Sequence, residues 1–173
     1  MKSEEFRLIR EEDIDAYYDV IHEGYRALKQ YPINFAAIDE SKEDALEWIR
    51  DVPTFGLYES GRLASVMSFE MPWGPYRLPE EAPSLGRVAT HPDFKHQGLA
   101  TKLYDHLEKE IIIGTYRAPM VTLGTAANHP WLPQMYESWG FAPYKTVHFE
   151  GKVHSTVLMK KVLGRIYTEK RSS

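Results

Sequence analysis

The chain has no cysteine among its 173 residues. That excludes a disulfide framework, a thiolate metal site and a cysteine nucleophile, and it fits a reducing compartment. No apolar run is long enough to span a bilayer, and Met1 to Arg7 lack the apolar stretch of a secretory signal. A cytoplasmic protein with no membrane contact is expected. Basic residues are not in excess either: 21 Lys and Arg against 25 Asp and Glu leave a net charge of −4, and the pI is near 6.0. A nucleic-acid partner held by phosphate neutralisation needs clustered Lys and Arg, so none is expected.

The signatures of several enzyme classes are missing too. There is no Walker loop, no three-glycine dinucleotide fingerprint, no His-Glu-x-x-His and no Gly-x-Ser-x-Gly elbow. His91 and His96 straddle a proline turn rather than one helix face, so no metal site is expected.

What is present suits one soluble domain, with 43% hydrophobic and 27% charged residues. Residues 1–163 are expected to form the domain and 164–173 a polar tail. Phe6 to Ile9 reads as a strand, and Asp13 is placed to cap a helix whose apolar residues Ile14, Tyr17, Tyr18, Ile21, Tyr25 and Leu28 recur at helical spacing. Ser41 and Asp44 form a capping box for a second helix through Trp48 and Ile49. Phe55 to Tyr58 and Leu63 to Glu70 read as a hairpin across Glu59-Ser60-Gly61. Met71 to Pro83, with four prolines, reads as a stiff aromatic loop. Then follow a strand from Leu85 to Thr90, a helix through Leu99, Leu103, Leu107 and Ile111 ended by Gly114, and a strand from Met120 to Thr125. A short helix over Trp131 to Trp139 and strands at Tyr144 to Phe149 and Ser155 to Lys160 complete the order. That order, β-α-α-β-β-β-α-β-α-β-β, predicts one mixed sheet with helices on its faces.

The turn from Lys95 to Thr101 joins a strand to a helix and contains no acidic side chain. The first N–H groups of a helix lack internal partners and lie at the positive end of its dipole, so such a turn suits a phosphate. Gly98 lets a ligand approach closely, and Lys95 and His96 add donors. A plain strand-turn-helix connection has the same spacing.

The run Arg87-Val88-Ala89-Thr90-His91-Pro92-Asp93-Phe94-Lys95-His96-Gln97-Gly98-Leu99-Ala100-Thr101 resembles the acetyl-CoA motif of the GNAT N-acetyltransferases. Their Arg/Gln-x-x-Gly-x-Gly/Ala corresponds to Lys95, Gly98 and Ala100; lysine there keeps the charge but loses the guanidinium fork. Met135-Tyr136-Glu137-Ser138-Trp139-Gly140-Phe141 resembles a second family segment, Leu-Tyr-Glu-x-Leu-Gly-Phe. The resemblance implies an α/β (α+β) fold with a mostly antiparallel twisted sheet of about seven strands, helices on both faces and a splayed parallel strand pair. It implies acetyl-CoA as co-substrate, without a metal, and an amine acceptor on a small molecule or peptide, attacked directly in a ternary complex. A homodimer is compatible with it.

By the same resemblance, Val88, Ala89 and Thr90 would pair with the pantetheine arm, and His96, Gln97, Gly98, Leu99, Ala100 and Thr101 would wrap the pyrophosphate. Asn128 resembles a cofactor-contacting asparagine, one residue further from Tyr136 than in relatives that acetylate ribosomal-protein termini. Tyr136 matches the tyrosine near the sulfur, a proton donor to the departing thiolate, and is otherwise a core tyrosine. The base of those relatives is absent, since Leu123 stands in its place. Glu70 at a strand end is the candidate base, with His91 and His148 as alternatives; an exposed structural glutamate is the competing reading. Tyr25, Tyr31, Phe35, Trp73 and Tyr76 are expected to line the acceptor pocket, where rings can hold a cation, or simply to pack loops. Two other classes remain: a non-catalytic acyl-CoA-binding module and a nucleotide-binding regulatory domain.

Overall fold

The computed structural model describes residues 3–164. The tail expected at 164–173 lies, but for its first residue, outside the described residues. Strands β1 (Glu4–Leu8), β2 (Thr54–Glu59), β3 (Arg62–Glu70), β4 (Ser84–Thr90), β5 (Met120–Ala126), β6 (Ala142–Val147) and β7 (Thr156–Val162) form one sheet in the order β1-β2-β3-β4-β5-β7-β6. Every neighbouring pair is antiparallel except β4 and β5. The helices are α1 (Ile14–Tyr25), α2 (Lys42–Asp51), α3 (Leu99–Leu107) and α4 (Leu132–Ser138). Among the described residues no helix is long and apolar enough to cross a membrane.

Strand β3 is central and buried on both faces, so its side chains feed two cores. Ala64, Met67 and Phe69 join Leu99, Leu103 and Leu107 of α3 and Tyr136 of α4. Leu63 and Val66 join Tyr17 and Ile21 of α1 and Ile49 of α2. Burying a side chain of the size of Ile21 or Leu103 contributes about 1.5–3 kcal/mol.

The local signals succeed where the partner is close in sequence. Ser41 Oγ accepts from the Asp44 N–H and the Asp44 carboxylate accepts from the Ser41 N–H, each at 3.1 Å, so the capping box forms. The hairpin turn places Ser60 and Gly61 at φ 49° and 85°, the left-handed pair that matches strand twist. Asp13 does not cap α1: its carboxylate accepts from the Arg10 N–H at 2.9 Å and pairs with Arg7, closing a 3-10 turn over Glu11–Asp13 instead. Gly114 is helical rather than left-handed, and α3 continues as a π-helical stretch over Glu108–Ile113. A Cβ on Gly114 would meet the Lys109 carbonyl oxygen at 2.7 Å, so the wider turn requires glycine there.

Candidate active site

The β4–β5 pair runs parallel for two residue pairs only, Ser84 with Thr122 and Leu85 with Leu123. Beyond them β4 stays with β3, through Val66 with Ala89 and Ser65 with Thr90, while β5 stays with β7 as far as Ala126 with Thr156. The two strands therefore separate as a wedge, and backbone groups on their inner edges are left for an extended ligand to pair with. A bulge bends β4 at the opening. Ser68 faces Gly86 and Val66 faces Ala89, so Met67 opposes both Arg87 and Val88. Arg87 takes φ 49°. The extra residue turns Leu85 and Val88 to the same core, which alternation without a bulge forbids. Helix α1 closes on the wedge at Gly24, where a Cβ would stand 3.1 Å from the Thr90 carbonyl oxygen.

A cavity of about 520 Å³ lies along β4 at the mouth of this wedge and runs over the start of α3. Its wall includes Val88, Ala89, Thr90 and every residue from Lys95 to Thr101. Lys102 is the first α3 residue whose N–H returns to the preceding turn, bonding the Gly98 carbonyl at 3.0 Å. The N–H groups of Leu99, Ala100 and Thr101 thus have no partner within the helix. Gly98 is left-handed at φ 69°, and a Cβ there would meet nothing within 4 Å. His96 is left-handed as well, at φ 61°. Left-handed residues beside a helix start make a concavity of backbone donors, which suits a pyrophosphate.

The two sequence motifs touch. The Trp139 indole N–H donates to Thr101 Oγ1 at 3.0 Å. Its ring lies flat on Tyr104, 4.7 Å between centroids and 4° from parallel. Tyr136 meets Trp139 and Phe141 edge-on. Helix α4 is fixed at its other end by His129, whose Nδ1 accepts from the N–H groups of Trp131 and Leu132 at 3.2 and 3.0 Å. Burial lowers the His129 pKa to about 4, so the acceptor form is the one present near neutrality.

A second cavity, of about 160 Å³, adjoins the first and shares Tyr25, Val88 and Leu132 with it. Phe35, Leu85, Gly86, Arg87, Thr125 and Tyr136 also line it. Tyr136 is buried, and burial, then the nearby Tyr25, raises its pKa well above that of a free phenol. The arrangement is a long slot with an anion cradle at one end and a small aromatic chamber with a protonated phenol at the other.

The sequence profile of the acetyltransferase (GNAT) family matches residues 14–141. The chain belongs to this family. It is 35% identical over 158 residues, 91% of this chain and 95% of the relative, to the S-(2-succino)cysteine N-acetyltransferase of Bacillus subtilis. It is 29% identical to the S-alkylcysteine N-acetyltransferase of the same organism, over 94% of this chain and 91% of that one. A Salmonella typhimurium acetyltransferase solved with acetyl-CoA has the same fold, at a TM-score of 0.68 and 17% identity, covering 94% of this chain and 95% of that one. The ribosomal-protein-S18-alanine N-acetyltransferase of Escherichia coli gives a TM-score of 0.69 at 17% identity, covering 94% and 95%. This protein is thus an N-acetyltransferase of a family that uses acetyl-CoA. The slot fits that donor: a main-chain cradle for the pyrophosphate, unpaired strand edges for the amide-bearing arm, and a phenol at the far end.

The acetyltransferase distributes the expected site residues unevenly. The cofactor set lines one continuous surface apart from Asn128, whose side-chain amide donates to the Pro32 carbonyl at 3.2 Å and which lies outside the cavity wall. Of the expected acceptor residues, Tyr25 and Phe35 line the small chamber, while Tyr31 lines the larger cavity. Trp73 is 75% exposed and lines neither. Tyr76 lies against Trp48, 5.0 Å between centroids. Glu70 is neither exposed nor in the chamber. It is buried, and Oε1 accepts from the Tyr76 N–H at 3.0 Å. It also sits where a Cβ on Gly74 would be, so it folds the Met71 to Pro83 loop onto β3. His91 pairs with Asp19 at 3.2 Å, outside the chamber.

Sequence reasoning passed over two features of the acetyltransferase. His129 follows the motif positions without belonging to them. Arg87 appears in the quoted run without a role, because its partners lie far off in sequence: Glu40, whose carboxylate takes Nη1, and Trp48, whose ring lies 3.8 Å from the guanidinium carbon.

Proposed function

We propose that this enzyme acetylates the α-amino group of small S-substituted cysteines by direct transfer within a ternary complex. The observation that carries this reading is the junction of the two cavities at Tyr25, Val88 and Leu132, beside Tyr136. A donor lying in the long slot meets an acceptor in the chamber there and nowhere else along the two walls. The chamber volume of about 160 Å³ corresponds to roughly five waters at ~30 Å³ each, room for one small amino acid. The S-substituted cysteine acceptors named for the two relatives support the class.

Acetyl-CoA, when bound, supplies the thioester carbonyl that the amine attacks. The turn from Lys95 to Thr101 holds the pyrophosphate, and the free edge of Val88, Ala89 and Thr90 aligns the arm. Backbone N–H groups near Val88 and Ala89 meet the carbonyl oxygen as negative charge grows on it. The amine attacks in its neutral form. The new C–N bond forms as the C–S bond breaks, and the Tyr136 hydroxyl gives its proton to the departing sulfur. The proton shed by the acetylated nitrogen passes through water to restore the phenol. Glu70 has no part in this reading, because its carboxylate is engaged with the loop backbone.

The full-length protein should be given acetyl-CoA with S-methylcysteine, S-(2-succino)cysteine, a polyamine and an alanine-terminated peptide, and thiol release followed. The cysteine derivatives should exceed the peptide and the polyamine by ~10-fold or more in kcat/KM. Turnover of the peptide or polyamine in preference to both cysteine derivatives would overturn the reading.

A further inference from the structure

The second cavity has one charged residue in its wall among the described residues, Arg87. Glu40, its counter-ion, does not line the chamber, and Glu40 Oε1 has no hydrogen-bond partner among the described residues. A guanidinium offers five N–H donors in a planar fork, so Glu40 at Nη1 leaves donors for a second carboxylate.

Three further features show that Arg87 is held rather than merely present. It occupies the extra position of the β4 bulge at φ 49°, which costs a residue bearing a Cβ about 1–2 kcal/mol and is characteristic of sites where a side chain is re-aimed. Its guanidinium lies on the Trp48 ring, and that ring is also in contact with Tyr76, 5.0 Å between centroids. Tyr76 is tied by its N–H to the Glu70 carboxylate, so the proline-rich loop braces the stack from outside. Only 16% of the Arg87 side chain remains exposed. A second cation stands close by: Lys152 donates to the Asn34 carbonyl at 2.9 Å, next to Phe35 of the chamber wall. Its ammonium has a lowered pKa through burial and through repulsion by Arg87.

We infer that Arg87 is the carboxylate anchor of the acceptor chamber, held by Glu40 and Trp48, and that it selects amines carrying a carboxylate beside the reacting nitrogen. The inference rests on the acceptor class proposed above and goes beyond it by naming the residue that reads the acceptor. Arg87 and Val88 are consecutive and both face the chamber, so an α-carboxylate on the guanidinium leaves the α-amine one carbon away, toward the Val88 and Tyr136 end. The same charge rejects polyamines, whose remaining ammonium groups would have to enter a chamber walled by a guanidinium.

The test compares S-methylcysteine with its carboxamide, which keeps the amine and loses the charge. Wild-type kcat/KM should favour the acid by ~10²-fold or more, the discrimination expected where a site is built around a charged partner. Arg87→Met should raise KM for the acid far more than for the carboxamide, and so erase the preference. Because Arg87→Met strands the buried Glu40 carboxylate, the pair Arg87→Met with Glu40→Gln provides a folded background for the same comparison. Equal use of acid and carboxamide by the wild type, or a matched loss on both in the variants, would overturn the role of Arg87 and leave the acceptor class standing. Failure of the wild type to acetylate any S-substituted cysteine would overturn both.

Discussion

Burial of the Tyr136 phenol bears on its proposed role as the acid. Its raised pKa keeps the proton in place across the whole range in which the protein is handled, so the hydroxyl is present to donate in the resting enzyme. Tyr136→Phe is expected to lower kcat by about 10²–10⁴-fold, the usual range for a lost general acid, with the dissociation constant for acetyl-CoA unchanged. Rapid-quench turnover alongside calorimetric binding checks both halves. The pH dependence follows with the same sign: the active form is the protonated one, and raising its pKa moves any alkaline decline upward. The kcat profile of the wild type should show no descending limb at about pH 10, where a free phenol ionises. A descending limb at that pH would place the acid elsewhere.

Helix α4 is pinned at both ends, by His129 at its start and by the Trp139 to Thr101 bond at its finish. The first pin is sensitive to pH. The folded pKa of His129 is lowered from 6.5 to about 4, so the unfolded chain binds the extra proton in the interval between them. Stability is therefore complete above about 6.5 and is lost as pH falls toward 4. The loss attributable to His129, discounted for solvent screening, is about 1–3 kcal/mol. His154, also lowered by burial first and by Lys152 next, acts in the same direction. Urea midpoints at about pH 7 and pH 4.5 should fall further for the wild type than for His129→Gln. Neither pin was legible in advance, and the reason is distance or disguise. The Ser41 and Asp44 box is three residues wide and could be read directly. Asp13 offered the same cue but found Arg7 on the neighbouring strand, a tertiary partner that outcompeted the cap. The Lys95 to Thr101 turn was readable because consecutive residues build it. Glu70, Arg87 and Glu40 were not, since loop folding and a pairing 47 residues apart decide where those charges go.

At the scale of the molecule, the sheet is two sub-sheets joined by two residue pairs, Ser84 with Thr122 and Leu85 with Leu123. A ligand that spans the two cavities would contact both halves, through Val88 on one side and Gly124 and Thr125 on the other, and would bind only when they are assembled. At 100 times its dissociation constant acetyl-CoA should therefore add about 2.7 kcal/mol to folding stability, a rise of about 5–10 °C in Tm for a chain of this size. Differential scanning fluorimetry measures the shift, and hydrogen exchange should slow at residues 86–90 and 124–126 more than elsewhere. The element order and the mixed sheet were expected from the chain, because strand and helix periods are local, whereas the splay was expected only from the resemblance to the family. The bulge at Arg87 has a further consequence, for heredity. The proposed cradle from Gly98 to Thr101 would grip through main-chain N–H groups, so apart from Gly98, whose φ of 69° favours glycine, its side chains are free to change while the donor is kept. In the proposed reading the acceptor is recognised by a side chain at one kinked position. A single codon change at Arg87 would then be enough to hand the same scaffold a new clientele.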